Sequence, residues 1–433
     1  MKSILYALLI VCLPNLVVAQ QPKLDKYVMG EGLTFNGAKG YSLKINGFVQ
    51  PFVESKAYSN DSSNAVYHRF RMRRLRLRLS GDVPEYKLDY RFQIDLSGIS
   101  EVGDEASSSF LMDAWIAYNP IKQIQIKFGQ SASLTDNREL TMGSQTLQLP
   151  ERSRLTSSFA TIREFGLFAS GNFKTGGGSY LRPFLAVTNG DGINVFGKDH
   201  GGLKIGGRVD FLPFGLFTNF GQYRQADLVS ELTPKLIFGI NYSVNYGMSS
   251  RRGRESGAIL YLDNLGNESL PNFTKFGFDF LFKYKGFSML GEFVKTAASV
   301  PSDIAIRVRV DGTTATTFDV NGVKDIPNYV KGRMMLGEGY NIQAGYVYKK
   351  KYSIDARYTH LEADRNSFLN NGTFYNRPNY YTLGLTRYLS RNYGFKVQAS
   401  ITYAELAAGS SDVIALPRDG TEWITRIITS LSF

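Results

Sequence analysis

The sequence predicts an all-β chain, a transmembrane antiparallel β-barrel of sixteen strands, on three observations. Apolar and polar residues alternate with a period of two through most of the chain. Short turns alternate with long loops. After the first twenty residues, nothing approaches the roughly 18 consecutive apolar residues of a spanning helix. A mean hydropathy of −0.19 with 26 Tyr, 30 Phe and 43 Gly does not separate a soluble protein from a barrel with a wet interior, because the two faces of a spanning strand average out. Periodicity does.

The alternation is densest in Arg69-Phe70-Arg71-Met72-Arg73-Arg74-Leu75-Arg76-Leu77-Arg78-Leu79, about the length that crosses a bilayer as a tilted strand. With Leu75, Leu77 and Leu79 on one face, Arg74, Arg76 and Arg78 line the other. A soluble antiparallel sheet with one wet face would show the same pattern, so this stretch alone leaves both readings open. If the leucines meet lipid, an arginine on their face near the midplane costs about 2–4 kcal/mol, which places the arginines inside a closed barrel. The phase slips at Arg73-Arg74. A β-bulge there returns Arg69 and Arg71 to the lumen; without one, both face outward at the level of lipid headgroups.

Lys2, the apolar run from Ile4 to Val18 and the small residues before Gln20 read as a secretory signal over residues 1–19. Cys12, the single cysteine, lies inside it and follows Val11 rather than a small residue, which argues against a lipoprotein site. A mature chain of this length without cysteine suits the bacterial envelope, here the outer membrane, better than a disulfide-stapled secreted module. The formal net charge of +12 becomes +11 when Lys2 leaves with the signal. For an exported chain such a charge points to small anions or lipopolysaccharide phosphates and away from nucleic acid.

Residues 20–40 are polar and glycine-bearing, without periodicity, and are expected to form a periplasmic segment; the barrel is expected over 41–433. Leu43, Ile45, Val49 and Val53 alternate with Lys44, Asn46, Gln50 and Glu54, and the arginine strand follows. After the turn Gly81–Glu85, Tyr86, Leu88, Tyr90, Phe92, Ile94 and Leu96 alternate with Lys87, Asp89, Arg91, Gln93 and Asp95. Phe110–Tyr118 and Ile124–Phe128 are the fourth and fifth strands. The rhythm then breaks over residues 131–162, a polar stretch with Arg138, Arg152 and Arg154 that is expected to fold into the barrel, by analogy with other membrane barrels; an ordinary surface loop is the alternative. Alternation resumes in Phe165–Ala169, Leu181–Val187, Leu203–Phe211, Leu236–Val244, Phe276–Tyr284, Phe287–Phe293, Tyr340–Tyr348, Ile354–Tyr358, Tyr381–Leu385, Phe395–Tyr403 and Trp423–Phe433.

Parity gives the strand number. Treating roughly 212–233 as a periplasmic connection gives sixteen strands, whereas a strand hidden near Ala258–Leu262 gives eighteen. Aromatics flank the short turns, as in Tyr284 with Phe287 and Tyr348 with Tyr352, where an interfacial girdle belongs. The terminal Phe433 ends an alternating strand and is expected to be read by the barrel-assembly machinery.

Phe70–Gly81 with Tyr86–Phe92, Phe110–Tyr118 running into Phe128-Gly129-Gln130, Glu151-Arg152-Ser153 with Arg163 and Gly166, Thr188-Asn189-Gly190, Phe282–Glu292 and Gly339–Tyr346 occur in that order. In this the chain resembles the phosphate-selective porins O and P, in the form found in Bacteroidetes-like bacteria. The resemblance implies a sixteen-stranded, usually trimeric outer-membrane barrel whose arginine ladder conducts anions, with phosphate or polyphosphate as solutes. Arg74, Arg76 and Arg78 are the ladder-like positions.

The expected anion path comprises Arg69, Arg71, Arg74, Arg76, Arg78, Lys87, Arg91, Lys127, Arg152 and Arg154, with inward carboxylates such as Asp89, Asp95 and Asp113 balancing neighbouring arginines. His68, His200 and His360 are scattered and form no catalytic or metal-binding set, so neither enzyme activity nor a cofactor is expected. Expected partners are small anions, outer-membrane lipid with lipopolysaccharide, and further copies in a homotrimer. The alternatives are a general nonselective porin and a surface barrel acting as receptor or adhesin through its long loops.

Overall fold

The computed structural model describes residues 23–58, 66–98, 110–193, 200–309, 311–371, 377–407 and 420–433. The signal expected at 1–19 lies outside them. Sixteen antiparallel strands form one closed sheet. They are β1 Ser42–Tyr58, β2 Val66–Val83, β3 Leu88–Asp95, β4 Leu111–Ile121, β5 Ile124–Ala132, β6 Arg163–Gly171, β7 Ser179–Thr188 and β8 Lys204–Leu212. The second half is β9 Lys235–Asn245, β10 Asn272–Tyr284, β11 Phe287–Ser299, β12 Gly337–Tyr348, β13 Tyr352–Ala363, β14 Asn379–Tyr388, β15 Phe395–Leu406 and β16 Gly420–Ser432. Strand β6 continues past Asn172 as Phe173–Gly176, still paired with β7. Pairing of β16 with β1, from Glu422 opposite Tyr58 to Ser432 opposite Phe48, closes the barrel and leaves no free edge.

The choice between sixteen and eighteen strands falls to sixteen for a local reason. Leu260–Leu262 is a strand, but it pairs with Ile306–Val308 in a small separate sheet rather than with the wall. Residues 213–234 form no strand and contain only a short 3-10 segment, Thr218–Tyr223. All connections at this end of the barrel are short except 213–234, and the long ones gather at the opposite end.

Outward positions are apolar and exposed, as at Phe70, Leu185, Ile354 and Leu383, and inward ones polar, which is the pattern of a barrel with lipid outside. Tyr340, Tyr358, Tyr381, Tyr403 and Trp423, on β12 to β16, form a continuous outward band near the long loops, with successive ring centres 5.7, 4.9, 6.0 and 5.0 Å apart. It matches an interfacial girdle.

Two additions sit on the barrel. Residues 20–40 show no periodicity, yet Lys23–Val28 and Gly32–Asn36 form a hairpin whose second strand pairs with the start of β1, from Leu33 opposite Ile45 to Asn36 opposite Ser42. A hairpin so short takes its register from the sheet it joins, which explains the missing sequence signal. At the long-loop end, Met248, Tyr261, Leu270, Ile304, Phe318, Val330 and Met334 pack into an apolar core of their own, giving the mouth a folded cap.

Candidate functional site

The arginine row on β2 is organised by a register slip. Gln50 of β1 lies opposite Arg74 and Pro51 opposite Met72, so Arg73 has no facing residue and forms a bulge. Phe70, Met72 and Leu77 are exposed on the outside. The bulge thereby puts Arg73 and Arg74 on the same side of the wall, where both are fully buried in the lumen, and keeps Arg69 and Arg71 there as well.

Residues 133–162 leave the end of β5 and run across the lumen. Arg138 donates to Asp279 (2.7 Å) and Asp210 (2.8 Å), and Arg208 donates to the same two carboxylates. Two cations and two anions thus close a buried square, and Gly239 leaves room for it: a Cβ there would collide with both guanidinium groups. Further on, Gln148 donates to Ser288 (2.7 Å) and accepts from Gln343 (2.8 Å), and its carbonyl accepts from Gln398 (2.6 Å). Glu151 then reaches β2, where Arg73 binds both its carboxylate oxygens and Arg74 donates to Oε2 at 3.0 Å. Burial pushes the Glu151 carboxyl up, but the charges of Arg73 and Arg74 outweigh it and hold the group at about 2. The short helix α1, Arg154–Phe159, capped by Ser153 through the Thr156 N–H, returns the chain to β6.

Toward the short-turn end this crossing segment bounds a chamber of about 1140 Å³. Its lining includes eight cations, Lys44, Arg76, Arg78, Arg91, Lys127, Arg163, Arg182 and Arg224, against three carboxylates, Asp82, Asp89 and Asp113. Some cations are tied to a carboxylate: Arg76 to Asp95 at 2.7 Å and Arg163 to Asp113 at 3.0 Å. Others are held by amides and rings. Arg78 donates to the Gln93 amide oxygen at 2.7 Å, Arg91 and Lys127 sit 5.1 and 4.7 Å from the ring centre of Trp115, and Arg182 lies between Phe184 and Tyr223. Arg91 reaches Asp113 only at 4.0 Å.

Of the ten residues expected on the anion path, Arg76, Arg78, Arg91 and Lys127 line this chamber. Arg69 pairs with Glu54, Arg71 lies over Phe52, and Arg74 belongs to the Glu151 clamp. Arg152 is buried within the crossing segment, donating to the carbonyls of Glu139 and Met142, and Arg154 opens α1 with its guanidinium 5.5 Å from the Tyr380 ring centre. Lys87 does not sit in the wall: it occupies the left-handed position that ends the β2–β3 turn and donates to the Pro120 carbonyl. Strict alternation carried it inward, whereas strand β3 begins at Leu88, two residues later than the pattern suggests. The expected path left out Lys44, Arg163, Arg182 and Arg224 of the chamber and Arg73 of the Glu151 clamp. Arg182 alternates with Leu181 and Leu185 and was findable by parity; Arg224 comes from an irregular connection and was not.

Residues 43–179, the first six strands with the crossing segment, match the family model of the phosphate-selective porins O and P, which bears out the family resemblance over that part of the chain. No curated protein matches the chain. In fold it is similar to the outer membrane channel DcaP of Acinetobacter baumannii, at 12% identity and a TM-score of 0.50 over 93% of this chain and 100% of that one. It is also similar to OprB of Pseudomonas putida, at 11% identity and a TM-score of 0.53 over 91% and 94%. At such identities the likeness speaks for the barrel fold alone.

Proposed function

We propose that this outer-membrane porin is a passive diffusion channel that prefers anions, phosphate and polyphosphate among them, and that the segment 131–162 is its constriction. The supporting observation is the chamber, where eight cations face three carboxylates inside a low-dielectric wall. Such a cavity focuses a positive potential and raises the local concentration of anions. The same reading has the chain exported by its signal, assembled through recognition of Phe433, and trimeric, as the family resemblance implies.

Purified protein in planar bilayers under a tenfold KCl gradient tests the preference. The zero-current potential is expected on the anion side of zero, short of the ideal limit of about 59 mV. The measurement belongs at low salt, since the Debye length is about 30 Å at 0.01 M and only about 3 Å at 1 M. A potential at zero or on the cation side rejects the reading. Deleting part of Leu134–Leu147 should raise single-channel conductance; an unchanged conductance would remove the constriction from the proposal.

A further inference from the structure

We infer that the chamber selects organic anions carrying a flat unsaturated ring, such as aromatic carboxylates, over aliphatic or inorganic anions of the same charge. This rests on the anion-channel reading above and narrows it to a solute class. The first ground is how the free cations are held. From β3 to β7 the wall alternates charge and ring: Arg91 faces Trp115 across the β3–β4 ladder, Lys127 faces Phe168 across β5–β6, and Arg182 stands two residues from Phe184. Arg91 lies 5.1 Å from the Trp115 ring centre, Lys127 lies 4.7 Å from Trp115 and 5.8 Å from Phe168, and Arg182 lies 5.4 Å from Phe184 and 5.2 Å from Tyr223. Guanidinium planes stack on aromatic faces, and a further π-system can extend such a stack.

The second ground is independent. Nε of Arg91, Nε1 of Trp115, and Nε and Nη1 of Arg182 are buried, and none has a hydrogen-bond partner among the described residues. These are donors fixed on the same wall as the rings. A buried donor without an acceptor is costly, and the side chains that carry these donors line the chamber, so turning them toward a solute that brings acceptor oxygens is favoured. The nearby carboxylate, Asp113, is engaged by Arg163 at 3.0 Å and stands 4.0 Å from Arg91, so it does not occupy these donors. Orthophosphate would satisfy the donors, but it offers no face to the rings. A planar carboxylate uses both.

The test is block of the chloride current through wild-type channels by benzoate and by cyclohexanecarboxylate, which share charge and approximate size but differ in the flat ring. Benzoate should reach half-block at a concentration at least tenfold lower. The charge-neutral variant Trp115→Leu with Phe184→Leu should bring the two solutes within about twofold. Equal block of wild type by both, with the anion potential intact, overturns the solute class and leaves the channel reading standing. No anion potential in KCl overturns the channel reading itself. A tenfold gap that survives in the folded double variant overturns the assignment to this wall, and because the wild-type comparison needs no variant, misfolding of the double variant does not decide the matter.

Discussion

Arg73 and Arg74 lie within five residues of Arg78 on one strand, yet what holds them differs. The first two are buried against Glu151 and tie the crossing segment to the wall, whereas Arg78 is held by an amide oxygen, and Arg91, Lys127 and Arg182 by rings. Glu151, shared between Arg73 and Arg74, offsets one of the two charges and turns the three side chains into a structural fastening. An amide or a ring positions the cation and leaves its charge. A row of arginines in a barrel therefore divides into fastenings and field-setting groups according to partner, and charge counting along the strand does not distinguish them.

Charge reversal breaks or sharpens that division most strongly. Arg78→Glu, Arg91→Glu and Arg182→Glu together should move the zero-current potential at low salt from the anion side across zero to the cation side, because six units of charge change beside the chamber. Reversing Arg73 and Arg74 should alter selectivity far less while impairing assembly. Equal selectivity shifts from both sets would erase the distinction.

Glu151→Gln probes the fastening by itself. Removing one partner of a buried ion pair costs about 3–5 kcal/mol, so the variant should unfold in detergent several degrees below wild type and show noisier open-channel current. Heat-dependent gel mobility and single-channel recording read the two effects. A variant as stable and as quiet as wild type would mean that the crossing segment is held by its other anchors alone.

Acid gives a smaller effect of known sign. The Glu151 carboxyl sits at about 2 against an ordinary value of 4.5, so its folded-state pKa is depressed. The stabilisation is complete above about pH 4.5 and is lost as pH falls toward 2. Wild type should lose thermal stability over that window more steeply than Glu151→Gln. Parallel curves would place the acid sensitivity in other carboxylates. The smallest change is expected from Lys87→Ala: because Lys87 sits in an exposed turn, the zero-current potential should stay within measurement error.

The features legible beforehand were those that a single strand carries in itself. Period-two alternation identified the spanning strands and their lumen faces. The doubled arginine at 73–74 located the bulge, because a regular strand keeps its apolar face through a phase slip only by inserting one residue that has no partner across the ladder. Connection lengths and parity pointed to sixteen strands, since a closed antiparallel barrel requires each strand to return. The hairpin at 23–36, the chamber and the identity of its free cations were decided only in three dimensions. Glu151 meets Arg73 and Arg74 across more than seventy residues, and Arg138 meets Asp279 across 141. Whether Arg73 and Arg74 are partnered depends on the carboxylate that the crossing segment brings within about 3 Å of them. Periodicity along the chain contains no record of that distance, because it is set by the path of the segment through the closed barrel.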